Sequence, residues 1–117
     1  MPRDQASLID IVQAARQISE FSTGLDYAAL ARSVEKQSAI LYQVIVIGEA
    51  VKRLSPVFRD QHPEIPWREI AGMRDVVAHQ YDQVDLNDLW AVVEADIPEL
   101  LTMIQPLLAS PEFLDNE

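Results

Sequence analysis

The sequence predicts an all-α protein, an antiparallel four-helix bundle with one short additional helix. Apolar residues recur at the three- and four-residue spacing of an amphipathic helix in every long segment of the chain. No segment shows the sustained alternation of apolar and polar residues that a half-buried strand requires. A chain of 117 residues, 49% hydrophobic and 24% charged, has the composition of one globular domain, which we expect to span residues 1–117.

Three helices are predicted in the first half of the chain. The first starts near Ser7, with Asp10 three residues later as its capping partner, and ends near Phe21. Its apolar face carries Leu8, Ile11, Val12, Ala15 and Ile18. A short helix follows over residues 27–34, and a longer one over about residues 36–54. The inward positions of the longer helix are Ile40, Val44, Ile47, Val51 and Leu54.

Prolines divide the second half of the chain. Three of them, from Pro56 to Pro66, predict an irregular connection, after which Pro66 opens the next helix. Asp85 and Asp88 are the predicted capping residues of a last helix, in which Pro98 should cause a kink. The apolar positions of that helix are Leu86, Leu89, Val93, Ile97, Leu100, Leu101, Ile104 and Leu107. The tail after about residue 110 is expected to fray.

The formal net charge of −10 is unevenly distributed along the chain. Residues 1–81 contain ten acids and nine bases, whereas residues 82–117 contain nine acids and no base. This acidic C-terminal segment indicates either a solvated helix face or a docking surface for a basic partner. Broad electrostatic binding of nucleic acid depends on clustered Lys and Arg, so any RNA is expected to bind at a local site.

The composition also excludes several kinds of chemistry. The chain has no cysteine, which excludes disulfides, thiol nucleophiles and cysteine-ligated zinc. No spacing of histidines and carboxylates is typical of a metal site, so we expect neither a metal nor another cofactor. The N-terminus lacks the apolar core of a signal peptide, and the apolar stretch AILYQVIVIG ends at Glu49, short of a bilayer span. A cytoplasmic protein without a membrane segment is therefore expected.

The residues best suited to chemistry lie in the segment MRDVVAHQY, residues 73–81. It contains Arg74, His79 and Tyr81, which are the candidate functional residues. Taken alone, they also fit a surface charge, a histidine favoured by the dipole at a helix end, and a packing aromatic. On a regular helix Arg74 and His79 would point about 140° apart. Either the helix loosens near His79, or the site is built from more than one chain.

Two carboxylates are candidate supporting residues for this segment. Asp75 lies four residues before His79, so on a helix it would share that face and could orient the imidazole, or make only a surface contact. Glu49 could pair with Arg74 and hold it in place, or be purely structural.

The motif Arg74-x4-His79 followed by Tyr81 resembles that of HepT-like toxins, a bacterial branch of the HEPN superfamily of small helical RNases and nucleotide-associated domains. The segments DQASLIDIVQAARQISEF, IVIGEAVKRLS, PEIPWREIAGMR and VDLNDLW are each similar to the corresponding family segments and occur in the same order. Nearly the whole chain is covered. Asp75 stands where an asparagine is also common in the family.

The resemblance implies a metal-independent endoribonuclease toxin of a type VII-like toxin-antitoxin system. It also implies an α-helical homodimer with the paired motifs in a cleft between protomers, and Arg74 and His79 as catalytic residues. Attack of the 2′-hydroxyl on the adjacent phosphate needs a base, an acid and positive charge, which histidine and arginine can supply at cellular pH. Because one chain supplies one such histidine, His79 from both protomers most simply fills the two proton-transfer roles.

The resemblance further implies a minimal nucleotidyltransferase antitoxin that uses ATP to attach adenylate to Tyr81. A bulky anionic group two residues from His79 would occupy the phosphate site and pair with Arg74. The other interpretations of Tyr81 are a stacking platform for a base and simple packing. For the whole chain, the alternative is a non-catalytic HEPN module that binds a nucleotide or a nucleotidyltransferase partner.

Overall fold

In the computed structural model, residues 3–80 and 83–109 are described, with residues 79, 80 and 83 described by their backbone alone. The elements are α1 (Arg3–Phe21), α2 (Tyr27–Ala31), α3 (Val34–Arg53), α4 (Pro56–Gln61), α5 (Trp67–Ala71), α6 (Met73–Val77), β1 (Ala78–Gln80), β2 (Gln83–Val84), α7 (Leu86–Ala91), a π-helical segment (Val92–Asp96) and α8 (Ile97–Leu108). The predicted all-α bundle is confirmed, and its short helices outnumber the single one predicted. The fraying expected after residue 110 falls outside the described residues.

The core lies where α1 packs along α3 and against α8. All the positions predicted to face inward on the first and third helices are buried, namely Leu8, Ile11, Val12, Ala15, Ile18, Ile40, Val44, Ile47, Val51 and Leu54. From α8, Ile97, Leu100 and Ile104 complete this core. Burying one such aliphatic side chain contributes roughly 1.5–3 kcal/mol, so the helical periodicity identified the residues that stabilise the bundle.

The start of α1 differs from the prediction. The helix already includes Arg3, and Ser7 is buried on its inner face, so Ser7 is not the N-cap. Asp10 accepts a hydrogen bond of 3.0 Å from the last residue of α3 instead of capping α1. Asp4, in the first turn, accepts hydrogen bonds from the backbone N–H and the hydroxyl of Ser55, at 2.7 and 2.8 Å. The true start is therefore anchored to the junction between α3 and α4.

The proline-rich connection contains a helix, α4, where an irregular segment was predicted. Pro56 lies in its first turn, where a proline loses no hydrogen bond and its fixed φ suits a helix. The Ser55 hydroxyl caps α4 by accepting a hydrogen bond of 3.1 Å from the backbone N–H of Phe58. The prediction was wrong because Pro56 begins a helix as well as ending the one before it.

The last helix changes its hydrogen-bonding pattern in the π-helical segment Val92–Asp96. The backbone N–H of Ile97 donates to the carbonyl of Val92, five residues earlier. In a regular α-helix the ring of Pro98 would collide with the carbonyl four residues before it. A wider π turn relieves such a conflict. A kink was predicted at Pro98, and the structure has a π turn just before this residue.

The outer side of this helix carries acidic side chains. Burial raises the pKa of Asp96, and the nearby Glu99 carboxylate raises it further. A carboxyl group whose pKa is raised by folding binds its proton more tightly in the folded state, so its ionisation at neutral pH lowers stability. Solvent screening keeps this effect small.

Within the described residues, none of the helices combines the length and hydrophobicity needed to cross a bilayer.

Candidate active site

The candidate segment lies where helix gives way to strand. α6 ends at Val77 because Ala78 adopts extended backbone angles, with φ −132° and ψ 98°. β1 then pairs antiparallel with β2, and the backbone of His79 is part of β1. The helix therefore ends before His79, a larger change than the loosening near His79 that was one of the two predicted ways to bring Arg74 and His79 together. These two short strands depart from the wholly helical prediction.

The backbone of the segment is fixed from two sides. Met73 and Val77 of α6 are buried in the core. The backbone N–H of Asp85 donates to the Val77 carbonyl at 2.7 Å, while the Asp85 carboxylate caps α7 by accepting from the N–H of Asp88 at 3.0 Å. Of the two predicted capping residues, Asp85 is the N-cap, whereas Asp88 lies inside α7 and donates to Asp85. As a result, the end of α6 is tied both to the core and to the start of α7.

Arg74 remains accessible on the outer side of α6. Its side chain is 44% exposed, and its Nη1 donates to Asp75 Oδ1 at 3.2 Å. Exposed ion pairs of this kind contribute roughly 0–1 kcal/mol, so an incoming anion could displace the contact. The prediction that Asp75 and His79 share a helix face is wrong, because α6 ends at Val77, between them.

Arg74 lines a cavity of about 220 Å³ between α3 and the α5–α6 pair, which we call the α6 cavity. Its lining also includes Ile45, Gly48, Glu49, Lys52, Ala71 and Asp75. Glu49 Oε1 lies 3.9 Å from Lys52 Nζ. Among the described residues no ion pair joins Glu49 to Arg74, so the predicted pairing is not observed although both side chains face one cavity. Sequence reasoning missed Lys52, which the three-residue spacing from Glu49 places on the same helix face.

Gly48 allows the helix pair α5–α6 to approach α3 closely. A Cβ atom at this position would lie 3.0 Å from the backbone carbonyl oxygen of Ala71. Helix propensity favours alanine over glycine by about 1 kcal/mol, but the contact is with backbone, which cannot rotate away. We therefore expect Gly48→Ala to lower the free energy of unfolding by about 1–2 kcal/mol, as overpacking does, in a urea titration. A variant as stable as the wild type would contradict this interpretation.

A strip of exposed apolar side chains borders the α6 cavity. Val34, Tyr42 and Ile45 of α3 are 73%, 63% and 36% exposed, and Val76 of α6 is 51% exposed. The spacing of the three α3 residues places them within one side of that helix. Ile45 belongs both to this apolar strip and to the cavity lining. Exposed apolar side chains on one side of a helix can form a contact with another chain, so the strip is a candidate contact surface.

Some predicted site features fall outside the described residues. Tyr81 and the side chain of His79 are among them, so their roles stay predictions. In the described part of the chain, no three His, Asp or Glu side chains are grouped closely enough to hold a metal ion.

Comparison with known proteins identifies relatives along most of the chain. The family described as ribonuclease HepT-like matches residues 11–107. A protein of Thermococcus cleftensis, named as a probable ribonuclease HepT, is 41% identical over 93 residues, which make up 80% of this chain and 84% of the relative. A candidate RNase of Methanocaldococcus jannaschii is 32% identical over 112 residues, covering 96% of this chain and 93% of the relative. No solved structure gives a significant match.

Proposed function

Because this chain belongs to the HepT-like ribonuclease family, we propose that it is an endoribonuclease that cleaves RNA at a site containing Arg74 and His79. The observation that carries the proposal is the end of α6 at Val77. It removes the helical geometry that would point Arg74 and His79 in different directions. The exposed guanidinium of Arg74 beside a cavity supplies the phosphate-binding group that such a reaction needs.

The proposed reaction is attack of a 2′-hydroxyl on the adjacent phosphorus. One His79 imidazole accepts the hydroxyl proton while the new O2′–P bond forms. The P–O5′ bond breaks, and a protonated imidazole gives its proton to the leaving oxygen. Arg74 stabilises the negative charge that builds up on the phosphoryl oxygens. The products are a 2′,3′-cyclic phosphate and a 5′-hydroxyl, and in this proposal no metal takes part.

The proposed active form is a homodimer. Two proton-transfer roles need two histidines, and a two-fold axis near the site would supply His79 from each chain. The apolar strip supports a dimer, because Ile45 belongs to the strip and also lines the α6 cavity together with Arg74. A partner chain bound to the strip would therefore form an additional wall of that cavity. That cavity, about 220 Å³, is smaller than the roughly 300–1,000 Å³ of typical small-molecule sites. A partner chain would enlarge it into a cleft.

The experiment that tests cleavage uses a single-stranded RNA and the same strand with one 2′-deoxy nucleotide at the mapped cleavage position. The RNA should be cut in the presence of EDTA to give a cyclic phosphate, and the substituted strand should stay intact at that position. Equal cleavage of both strands would exclude the 2′-hydroxyl mechanism. If neither is cut, the ribonuclease proposal fails and a non-catalytic binding module is favoured.

We further propose that the chain is the toxin of a toxin-antitoxin pair in the cytoplasm, and that a minimal nucleotidyltransferase neutralises it. The Tyr81 hydroxyl would attack the α-phosphorus of ATP, forming an O–P bond and releasing pyrophosphate. The attached adenylate would then compete with RNA for Arg74. Exposed carboxylates on the last helix, such as Glu94 and Glu99, offer a surface for a basic partner.

The modification is tested by incubating the protein with the nucleotidyltransferase and ATP. Intact mass spectrometry should show one added adenylate per chain in the wild type, and none in Tyr81→Phe. Tyr27→Phe is the matched control, since it removes the hydroxyl of an exposed tyrosine outside the apolar strip and should still be modified. Neutralisation without any change of mass would refute this part of the proposal.

A further inference from the structure

A second, larger depression adjoins the α6 cavity. It has a volume of about 800 Å³, lies between α4 and α5, and shares Ala71 with the α6 cavity. We call it the α4–α5 cleft. Two cations, Arg59 and Arg68, and two acids, Asp60 and Glu69, are among its lining residues. Ala71 is thus the point of contact between the depression that contains Arg59 and Arg68 and the cavity that contains Arg74.

The two arginines of the cleft lack carboxylate partners within the described part of the chain. This is notable in a protein with nineteen acids and nine bases. In addition, the Nε atom of Arg59 is buried, and no acceptor for it exists among the described residues. A buried donor without a partner destabilises the folded chain, because its hydrogen bond to water is lost and not replaced. The planar fork of a guanidinium suits an anionic ligand bound in the cleft.

Side-chain contacts and prolines hold the wall of the cleft in place. The indole Nε1 of Trp67 donates to the carbonyl of His62 at 3.0 Å. The ring of Phe58 lies 4.6 Å from that of His62 and 6.1 Å from that of Trp67, measured between centroids. Three prolines, Pro56, Pro63 and Pro66, line the cleft and restrict its backbone. A preformed surface of this kind loses little conformational entropy when a ligand binds.

We propose that the α4–α5 cleft binds phosphates of the RNA strand next to the scissile bond, with Arg59 and Arg68 as positioning residues. This inference rests on the proposed ribonuclease function. Asp60 and Glu69 oppose a broad attraction for nucleic acid, so the contacts are local and involve one phosphate per arginine. The ligand is a single strand, because phosphates of one flexible backbone can enter a cleft between two short helices, whereas an A-form duplex is recognised across its shallow minor groove.

The test measures binding of a fluorescein-labelled single-stranded RNA of about 12 nucleotides, within the site sizes of known single-strand modules. His79→Ala is the background, so that the RNA is not cut. Adding Arg59→Gln and Arg68→Ala should weaken RNA binding about tenfold. The logarithm of the association constant should also fall less steeply with the logarithm of the salt concentration, the magnitude of the slope decreasing by about 1.4, or about 0.7 for each lost phosphate contact. Arg32→Ala is the matched control, because Arg32 is exposed and does not line the cleft, and it should change neither quantity.

A second substrate separates this inference from the proposed function. A dinucleotide carries only the scissile phosphodiester, so Arg59→Gln with Arg68→Ala, in a chain that retains His79, should cleave it at the wild-type rate. If the double variant binds the long RNA as well as its background does, or if Arg32→Ala loses as much affinity, the proposal that the cleft binds RNA is refuted. Cleavage of the dinucleotide would still be evidence for the ribonuclease. Weakened binding without cleavage by any variant would support the cleft and refute the ribonuclease. If the double variant does not fold, as judged by circular dichroism, Arg68→Ala alone provides the same test.

Discussion

Replacing His79 by alanine is expected to lower the rate of RNA cleavage by about 10²–10⁴-fold, the usual contribution of a positioned acid or base. In a homodimer the change removes both proton-transfer groups at once, so the loss should lie toward the upper end of that range. The affinity for RNA should change much less, because Arg74 remains. Initial rates on a defined single-stranded RNA, together with binding of a substrate that lacks the attacking 2′-hydroxyl, separate these two effects.

His62→Ala is the matched control for this prediction, since the chain contains only two histidines. His62 lies at the C-terminal end of α4, where its ring packs 4.6 Å from that of Phe58 and its Nδ1 lies 3.6 Å from Glu64 Oε2. These contacts indicate a structural role, so cleavage should continue near the wild-type rate. Expression of each form without a neutralising partner extends the comparison to cells. Growth arrest by His79→Ala as strong as by the wild type would argue against catalysis by His79.

The hydrophobic periodicity predicted the long helices well. Ile40, Val44, Ile47 and Val51 recur at helical spacing and are all buried, because the side of α3 that carries them faces α1. Local signals were less reliable, since one residue type serves several purposes. Ser7 has the side chain of an N-cap but lies on the buried face of α1, and Pro56 both ends α3 and begins α4.

The candidate site was harder to predict, because its geometry depends on the end of a helix without a glycine or proline nearby. Nothing in RDVVAHQ marks the change at Ala78 except two β-branched valines, which weakly disfavour a helix. The partners of Arg74 also depend on rotamers. The structure pairs it with its neighbour Asp75, whereas Glu49 lies near Lys52. The α4–α5 cleft combines residues of two short helices, and one of them, α4, was not predicted at all.

Replacing Tyr42 by glutamate is expected to dissociate the proposed homodimer. Most of the ribonuclease activity should be lost as a result. Tyr42 is 63% exposed in the apolar strip, one turn before Ile45, and does not itself line the α6 cavity. A charge placed there would be desolvated on association. Loss of a central interface contact typically costs 2 kcal/mol or more, so the dissociation constant should rise by at least about 30-fold. Light scattering coupled to size-exclusion chromatography measures the association, and cleavage rates at the same protein concentrations measure its consequence.

The matched control is Tyr27→Glu, the same change at an exposed tyrosine of α2, outside the strip. It should leave both the oligomeric state and the cleavage rate unchanged. The concentration dependence identifies the cause of any loss in Tyr42→Glu. If two chains build the site, raising the concentration of the variant must restore activity in parallel with the dimer fraction, because association follows mass action. A monomeric Tyr42→Glu protein with the full wild-type rate would mean that one chain carries a complete site, and the second proton-transfer group would then have to come from this chain itself or from the RNA.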